Sequence, residues 1–249
     1  MRLAASTLSA PSGRIKLIRP LPALVAAAHG TRSRPGAAMV DAVLDKVRAR
    51  RPDVDASAAY VDVIAPSLAT VLDRLARPAV VVPVLLSGGF HVRVDIPAVL
   101  ARRPGVVATD ALGPDPLLAQ AMADRLAEAR GGGRAATQVV MVAAGSSDPA
   151  ARADIDVAAS QLARRLRRPV TAAVLSGPGA TLAEAVAGAP APPDVAAYLL
   201  AEGFFADTLR AQGAALGLPV VADPIGPHAA VADLVLARYD AAVPARGTG

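Results

Sequence analysis

Short apolar runs alternate along the chain with longer stretches in which apolar residues recur every three or four positions. Leu24-Val25-Ala26-Ala27-Ala28 is followed by the turn-like His29-Gly30-Thr31-Arg32-Ser33. A helical pattern then runs from about Gly36 to Arg50, with Met39, Val43, Leu44 and Val47 on one face. A strand near Val54–Val61, a helix near Ser67–Leu75 and a β-branched strand from Val80 to Leu86 come next. After Ser87-Gly88-Gly89-Phe90-His91 the pattern predicts a helix to about Arg102, a strand near Val106–Ala111 and a helix from Asp115 to Ala129. Strands alternating with helices predict βαβ units and a parallel sheet.

Gly131-Gly132-Gly133 interrupts this pattern, and a second copy follows. Ala28-His29-Gly30-Thr31 corresponds to Ala143-Ala144-Gly145-Ser146 at an offset of 115. Leu85-Leu86 with Gly89-Phe90 corresponds to Leu199-Leu200 with Gly203-Phe204 at 114, and Leu112-Gly113-Pro114 to Ile225-Gly226-Pro227 at 113. Landmarks in one order at a nearly constant offset indicate an internal duplication. The expected organisation is an N-terminal extension over 1–20, a first α/β domain over 21–130, a linker over 131–136 and a second α/β domain over 137–245. The expected fold is two similar doubly wound parallel-sheet domains.

Composition narrows the chemistry. Hydrophobic residues make up 53% of the 249 residues and charged residues 19%, so the chain is globular rather than disordered. There is no cysteine, which excludes disulfides, thiolate nucleophiles and zinc–thiolate sites. A net charge of +5, carried almost entirely by arginine, suits an anionic partner. Aromatic residues are only 2%, leaving little for nucleic-acid bases to stack on, so no nucleic-acid partner is expected. No apolar run approaches the roughly 20 residues of a membrane span, and residues 1–20 lack a signal-type apolar stretch. The expectation is a cytoplasmic protein with no membrane partner.

The three histidines, His29, His91 and His228, can be weighed one by one. In open α/β sheets, ligands bind beyond the carboxyl ends of the strands. His29 follows the first predicted strand and His91 the third, so both belong at that edge. Two neutral imidazoles there can bind a borderline divalent ion such as Fe2+, Co2+, Ni2+ or Zn2+. In the second copy Ala144 stands where His29 stands, and Phe205 where His91 stands. A histidine needed only for folding should recur in both copies, so the asymmetry assigns the chemistry to the first. Asp62, at the end of the second strand, can add a carboxylate, although an aspartate there also suits a turn. His228 is expected at the start of the last helix, a position Asp115 takes in the first copy.

Gly30 and Gly88-Gly89 allow close approach of backbone to a ligand. No G-x-G-x-x-G follows the first strand, and no P-loop motif occurs, so dinucleotide and nucleoside-triphosphate binding lack support. Gly145-Ser146-Ser147 lacks the nucleophile-elbow spacing of hydrolases.

The stretches His29-Gly30-Thr31-Arg32, Ala59-Tyr60-Val61-Asp62 leading to Ala65-Pro66-Ser67, and Val82-Pro83 through Gly89-Phe90-His91-Val92-Arg93-Val94-Asp95-Ile96-Pro97 resemble the class II sirohydrochlorin chelatases of siroheme and cobalamin synthesis. The resemblance spans nearly all of the chain after residue 21 and is most specific between Pro83 and Pro97. It implies two chelatase-like domains facing each other across a cleft, and a lyase of the sirohydrochlorin ferrochelatase or cobaltochelatase type. The family's metal-binding histidines fall on His29 and His91. Its long members often carry a glutamate where this chain has Asp62, one methylene shorter, and many relatives have glycine where this chain has Phe90.

The resemblance further implies that Fe2+ or Co2+ arrives as a substrate, with no permanently bound cofactor. Sirohydrochlorin is a polycarboxylate, and planar guanidinium groups suit bidentate carboxylate contacts. Arg32, Arg34 and Arg93 are therefore expected to hold it, with Thr31, Ser33, Ser87 and the Gly88 and Gly89 amides as further donors. A histidine or Asp62 would accept a pyrrole proton. Both halves lie on one chain, so a monomer is expected. Two other readings use the same residues: a non-catalytic metal or tetrapyrrole carrier, and a two-domain binding protein for another small anion.

Overall fold

The structure, a computed structural model, describes residues 20–30, 34–62 and 64–243, and for His91 the backbone alone. The N-terminal extension up to residue 19 and the expected site residues Thr31, Arg32 and Ser33 lie outside the described residues.

The first half contains β1 (Ala23–Ala28), α1 (Arg34–Arg50), β2 (Ala56–Tyr60), α2 (Leu68–Asp73) and β3 (Ala79–Pro83). A π-helical turn over His91–Asp95 then runs into α3 (Ile96–Leu100), followed by β4 (Val106–Ala108) and α4 (Pro116–Arg130). The second half contains β5 (Val139–Ala143), α5 (Pro149–Leu166), β6 (Val170–Val174), α6 (Leu182–Ala187), β7 (Asp194–Tyr198), α7 (Phe204–Ala215) and α8 (Ala229–Ala242). Among the described residues no helix is long and apolar enough to cross a membrane.

Both sheets are parallel, in the orders β2-β1-β3-β4 and β6-β5-β7. A single bridge from Val195 to Val221 stands where a fourth strand would complete the second sheet. Two strands are shorter than the apolar pattern predicts. β3 ends at Pro83 instead of Leu86 because its partner β1 ends at Ala28, although Val84 still donates to Ala27. β4 ends at Ala108 instead of Ala111 because the chain then turns towards the cis peptide Gly113-Pro114.

Strand side chains alternate between faces, and each face has its own core. Leu24, Ala26 and Ala28 of β1 join a large core with residues of α1, α4, α5 and α8 and with Val139, Met141 and Ala143 of β5. Ala23, Val25 and Ala27 face the other way, against Leu68 and Leu72 of α2 and Ile96 of α3. Val140 and Val142 likewise face α6 and α7. The molecule is therefore five layers deep: an outer helical layer, a sheet, a shared central layer of α1, α4, α5 and α8, the second sheet and its outer helices. Each fully buried leucine in the central layer, such as Leu44, Leu118 or Leu162, contributes about 1.5–3 kcal/mol.

Within that central layer the last helices of the two halves are exchanged. α4 packs on β7 of the second half, and α8 packs on β3 of the first. Reciprocal arginines mark the exchange. Arg125 of α4 donates to the Ile225 carbonyl through Nε and Nη2, each at 3.1 Å. Arg238 of α8 donates to the Ala111 and Leu112 carbonyls. Arg125 and Arg238, like Leu112 and Ile225, are separated by the duplication offset of 113. The glycine-rich segment after α4 thus marks the sequence repeat, while packing runs across it.

Candidate active site

The sheet order places the carboxyl ends of β2, β1 and β3 side by side, and each is followed by one expected site residue. His29 leaves β1 as an exposed residue, Asp62 lies exposed two residues beyond β2, and His91 begins the π-helical turn after β3. His29 and Asp62 are joined directly through the backbone, since the Asp62 N–H donates to the His29 carbonyl at 3.0 Å. Gly30 makes this approach possible. It adopts φ +95°, and a Cβ there would collide with the Asp62 carbonyl. Beside this pair, Tyr60, Asp62, Ser67 and Arg74 line a cavity of about 470 Å³. The Tyr60 phenol is pushed above its ordinary range by burial first and by the negative charge of Asp41 second.

The same crossing recurs in the second half with different side chains. Ser176 donates its N–H to the Ala144 carbonyl at 3.0 Å, and Gly145, at φ +93°, fits under Ser176 as Gly30 fits under Asp62. Matching hydrogen bonds set the alignment: Ala144 for His29, Ser176 for Asp62, Phe205 for His91. None of these three positions in the second half carries an imidazole or a carboxylate. Among the described residues no three His, Asp or Glu side chains converge as a complete ligand set.

The loop that carries His91 is held by the second half. The Leu86 carbonyl accepts from the Tyr198 hydroxyl at 2.8 Å, and the Gly88 N–H donates to Asp154 Oδ2 at 2.9 Å. Arg93, in the π-helical turn, forms an ion pair with Asp148, the N-cap of α5. Tyr198 is almost fully buried, and desolvation pushes its phenol far above the ordinary range, so it is a neutral donor. Gly113 lies beneath this contact, where a Cβ would strike both the Tyr198 hydroxyl and the Leu86 carbonyl.

These contacts change the expected substrate-binding set. The Gly88 amide, expected to donate to a substrate, already donates to Asp154, and the Arg93 guanidinium is engaged by Asp148. Ser87 and Gly89 are partly exposed in the same loop, and Arg34 is exposed at the first position of α1. Phe90 is 61% exposed and its copy Phe204 76%, so two aromatic rings stand at the rims of the two halves. His228 takes the helix-start position expected of it. It caps α8, its Nδ1 accepting from the Ala230 N–H at 3.2 Å, as Asp115 caps α4 by accepting from Leu117.

Nothing in the residue pattern points to Asp148 or Tyr198 as supports of this loop. One signal was present for Asp154. At an offset of 115, the buried residues of α5 reproduce those of α1 at Gly36/Ala151, Val40/Ile155, Val43/Ala158, Leu44/Ala159 and Val47/Leu162. The exception is position 39, where buried Met39 corresponds to Asp154.

Residues 23–129 match the CbiX family model. That match lies within the first half of this chain. The matched stretch holds His29, Asp62 and His91. A comparison with curated protein sequences gave no match. Among solved structures, SirB from Bacillus subtilis with Fe3+ is similar at 22% identity and a TM-score of 0.75, over 88% of this chain and 94% of that one. The sirohydrochlorin chelatase SirB from Bacillus subtilis subspecies spizizenii in complex with cobalt is similar at 21% identity and a TM-score of 0.72, over the same shares. CbiX of denitrifying bacteria, the terminal enzyme for biosynthesis of siroheme, is similar at 21% identity and a TM-score of 0.67, over 88% of this chain and 99% of that one. At these identities the likeness establishes the fold: the first half and its copy together have the architecture of these structures.

Proposed function

We propose that this protein inserts a divalent metal ion, Fe2+ or Co2+, into sirohydrochlorin. The observation that carries the reading is the asymmetry of the duplication. Three adjoining strand ends lead into His29, Asp62 and His91 in the first half, while matched positions in the copy hold Ala144, Ser176 and Phe205. SirB, the sirohydrochlorin chelatase whose fold this chain shares, has been seen with Fe3+ and with cobalt.

Metallation requires an ion to shed water, two pyrrole N–H protons to leave, and the macrocycle to stay in place. His29 and His91 take the ion from solvent and keep coordination positions open for the incoming nitrogens. A site of two nitrogens and at most one carboxylate binds without trapping the ion. As metal–nitrogen bonds form, the two protons pass to Asp62 or a histidine and on to water, so the dianionic macrocycle leaves with its dication. Arg34, with Arg32, holds substrate carboxylates. The halves exchange their last helices within one chain, and we read the functional unit as a monomer.

The test is metallation of sirohydrochlorin by the purified protein with Fe2+, Co2+ or Ni2+, followed by absorbance. Product in excess over protein, lost in His29→Ala and His91→Ala, is the expected result. Metallation that stops at one equivalent would identify a carrier instead.

A further inference from the structure

We propose that Asp154 is a positioning residue for the metal site: from the second half, its carboxylate fixes the backbone that carries His91. The inference rests on the reading of His29 and His91 as metal ligands.

Three observations lead to it. First, α5 copies the buried face of α1 position by position except at Asp154, where α1 has buried Met39. A carboxylate on a core-facing position costs free energy unless it is hydrogen-bonded. Second, Asp154 Oδ2 accepts from the Gly88 N–H at 2.9 Å, three residues before His91. A carboxylate accepting from a backbone amide makes a stronger bond than a neutral acceptor does.

Third, the duplication supplies an internal comparison. The copy of the Leu86–His91 loop follows β7 and should meet α1 as the original meets α5. There Met39 offers no acceptor, and instead of a hydrogen bond the structure has a cavity of about 430 Å³ lined by Pro35, Ala38, Met39, Ala201 and Glu202, among others. The loop that carries a histidine is tied down by Asp154, with Tyr198 and the Asp148–Arg93 pair on either side. Its copy, which carries Phe205, borders open space. The copy's Glu202, at the position of Gly88, pairs instead with Arg210 of its own half, so the polar contact across the halves follows the histidine, as a device for holding a ligand should, and does not follow the fold. The second half, stripped of ligands, thus supplies the support for the first.

Asp154→Met places in α5 the residue that α1 buries at the same position, and so separates positioning from stability. The thermal midpoint of Asp154→Met should equal or exceed that of the wild type. Co2+ affinity, read by calorimetry and by the visible spectrum of the bound ion, should fall about tenfold, the lower end of what outer partners of metal ligands contribute. The kcat for Co2+ insertion should fall with it, with KM for the tetrapyrrole unchanged. Asp154→Asn keeps an acceptor for Gly88 and should recover most of the affinity. Co2+ affinity and spectrum unchanged in Asp154→Met would overturn the proposal. So would a loss of affinity that merely tracks a fall in thermal midpoint and is not recovered in Asp154→Asn. Failure of the chelatase reading looks different: the wild type binds Co2+ through His29 and His91 yet forms no metallated tetrapyrrole.

Discussion

The N–H of Asp62 donates to the carbonyl oxygen of His29 at 3.0 Å, so a carboxylate-bearing strand end and an imidazole-bearing strand end are fixed to one another by main chain. Only a residue without a Cβ fits between them, and Gly30 is that residue. The separation of the two side chains' origins is therefore set by the sheet and its turn. His29 and Asp62, the proposed ligand and the proposed proton acceptor, thus stand on rigid elements.

Gly30→Ala should damage the site more than its size suggests. The variant must place an alanine at positive φ and push the Asp62 carbonyl away, which separates the ends of β1 and β2. A strain of about 1–3 kcal/mol is expected. Thermal denaturation should show the loss, and Co2+ affinity should drop in the same variant. A variant with wild-type affinity would show that the His29–Asp62 crossing does not shape the site.

Asp62→Ala tests proton acceptance directly. Removing a general base costs about 10²–10⁴ in rate, so kcat for metal insertion should fall by at least the lower figure. Stability should change little, because the Asp62 side chain is exposed and the crossing to His29 uses only its backbone. Stopped-flow metallation at saturating metal separates this from weakened metal binding, which would appear in KM for the ion.

Asp194, 2% exposed at the start of β7, accepts from Arg130 Nε at 2.8 Å and from the Ala136 N–H. This pair fastens both ends of the segment that joins the halves. Asp194→Ala would leave the Arg130 guanidinium buried and uncompensated, which costs about 3–5 kcal/mol. Urea denaturation should show that loss with an unchanged m-value.

The exchanged helices determine how the halves behave apart. A fragment over residues 20–133 keeps α4 but loses β7, on which α4 packs, and its own β3 loses α8. The inner face of the first sheet would then expose Leu24, Val80 and Val82. No stable folded monomer is expected from this fragment. Light scattering and circular dichroism would decide, and a cooperative, folded monomer would contradict the exchange.

How much of this was legible follows from what each level of structure depends on. The alternation of short apolar runs and amphipathic stretches reports local periodicity, so β1, α1, β2, β3, α4 and the duplication could be read from the chain. The placement of His29, Asp62 and His91 at one edge followed from the connectivity of a parallel sheet. Strand ends were overestimated at Leu86 and Ala111 because a strand stops where its partner stops, and that is not a local property. The helix exchange was hidden for the same reason, since the apolar face of α4 does not specify which sheet covers it. Asp154 was half-visible as a break in a repeated apolar stripe, but its acceptor role depends on a loop 66 residues away. The engagement of Arg93 by Asp148 could not be seen, because only tertiary packing brings the π-helical turn to the start of α5.

All three tyrosines, Tyr60, Tyr198 and Tyr239, are buried, and each phenol is raised above its ordinary value of 10.0, first of all by desolvation. Tyr239 also donates to the Pro22 carbonyl at 2.7 Å, tying α8 to the entry of β1, as Tyr198 ties β7 to the His91 loop. A phenol whose pKa is raised by folding binds its proton more tightly in the native state than in the unfolded one. Its contribution is therefore fully present below pH 10 and is lost as pH rises from there towards the folded value. Three such groups act in the same direction, so the protein should lose stability steeply above about pH 10. Absorbance at the phenolate band, followed against pH together with circular dichroism, should show no tyrosine ionising with an ordinary pKa in the folded protein. Ionisation should instead coincide with unfolding. Tyr198→Phe removes the donor to Leu86 and costs about 1–3 kcal/mol through the unpaired carbonyl, and it should make the loss of stability above about pH 10 less steep, because one of the three titrating groups is gone. A normal titration of even one tyrosine before unfolding would mean that its ring is not excluded from water.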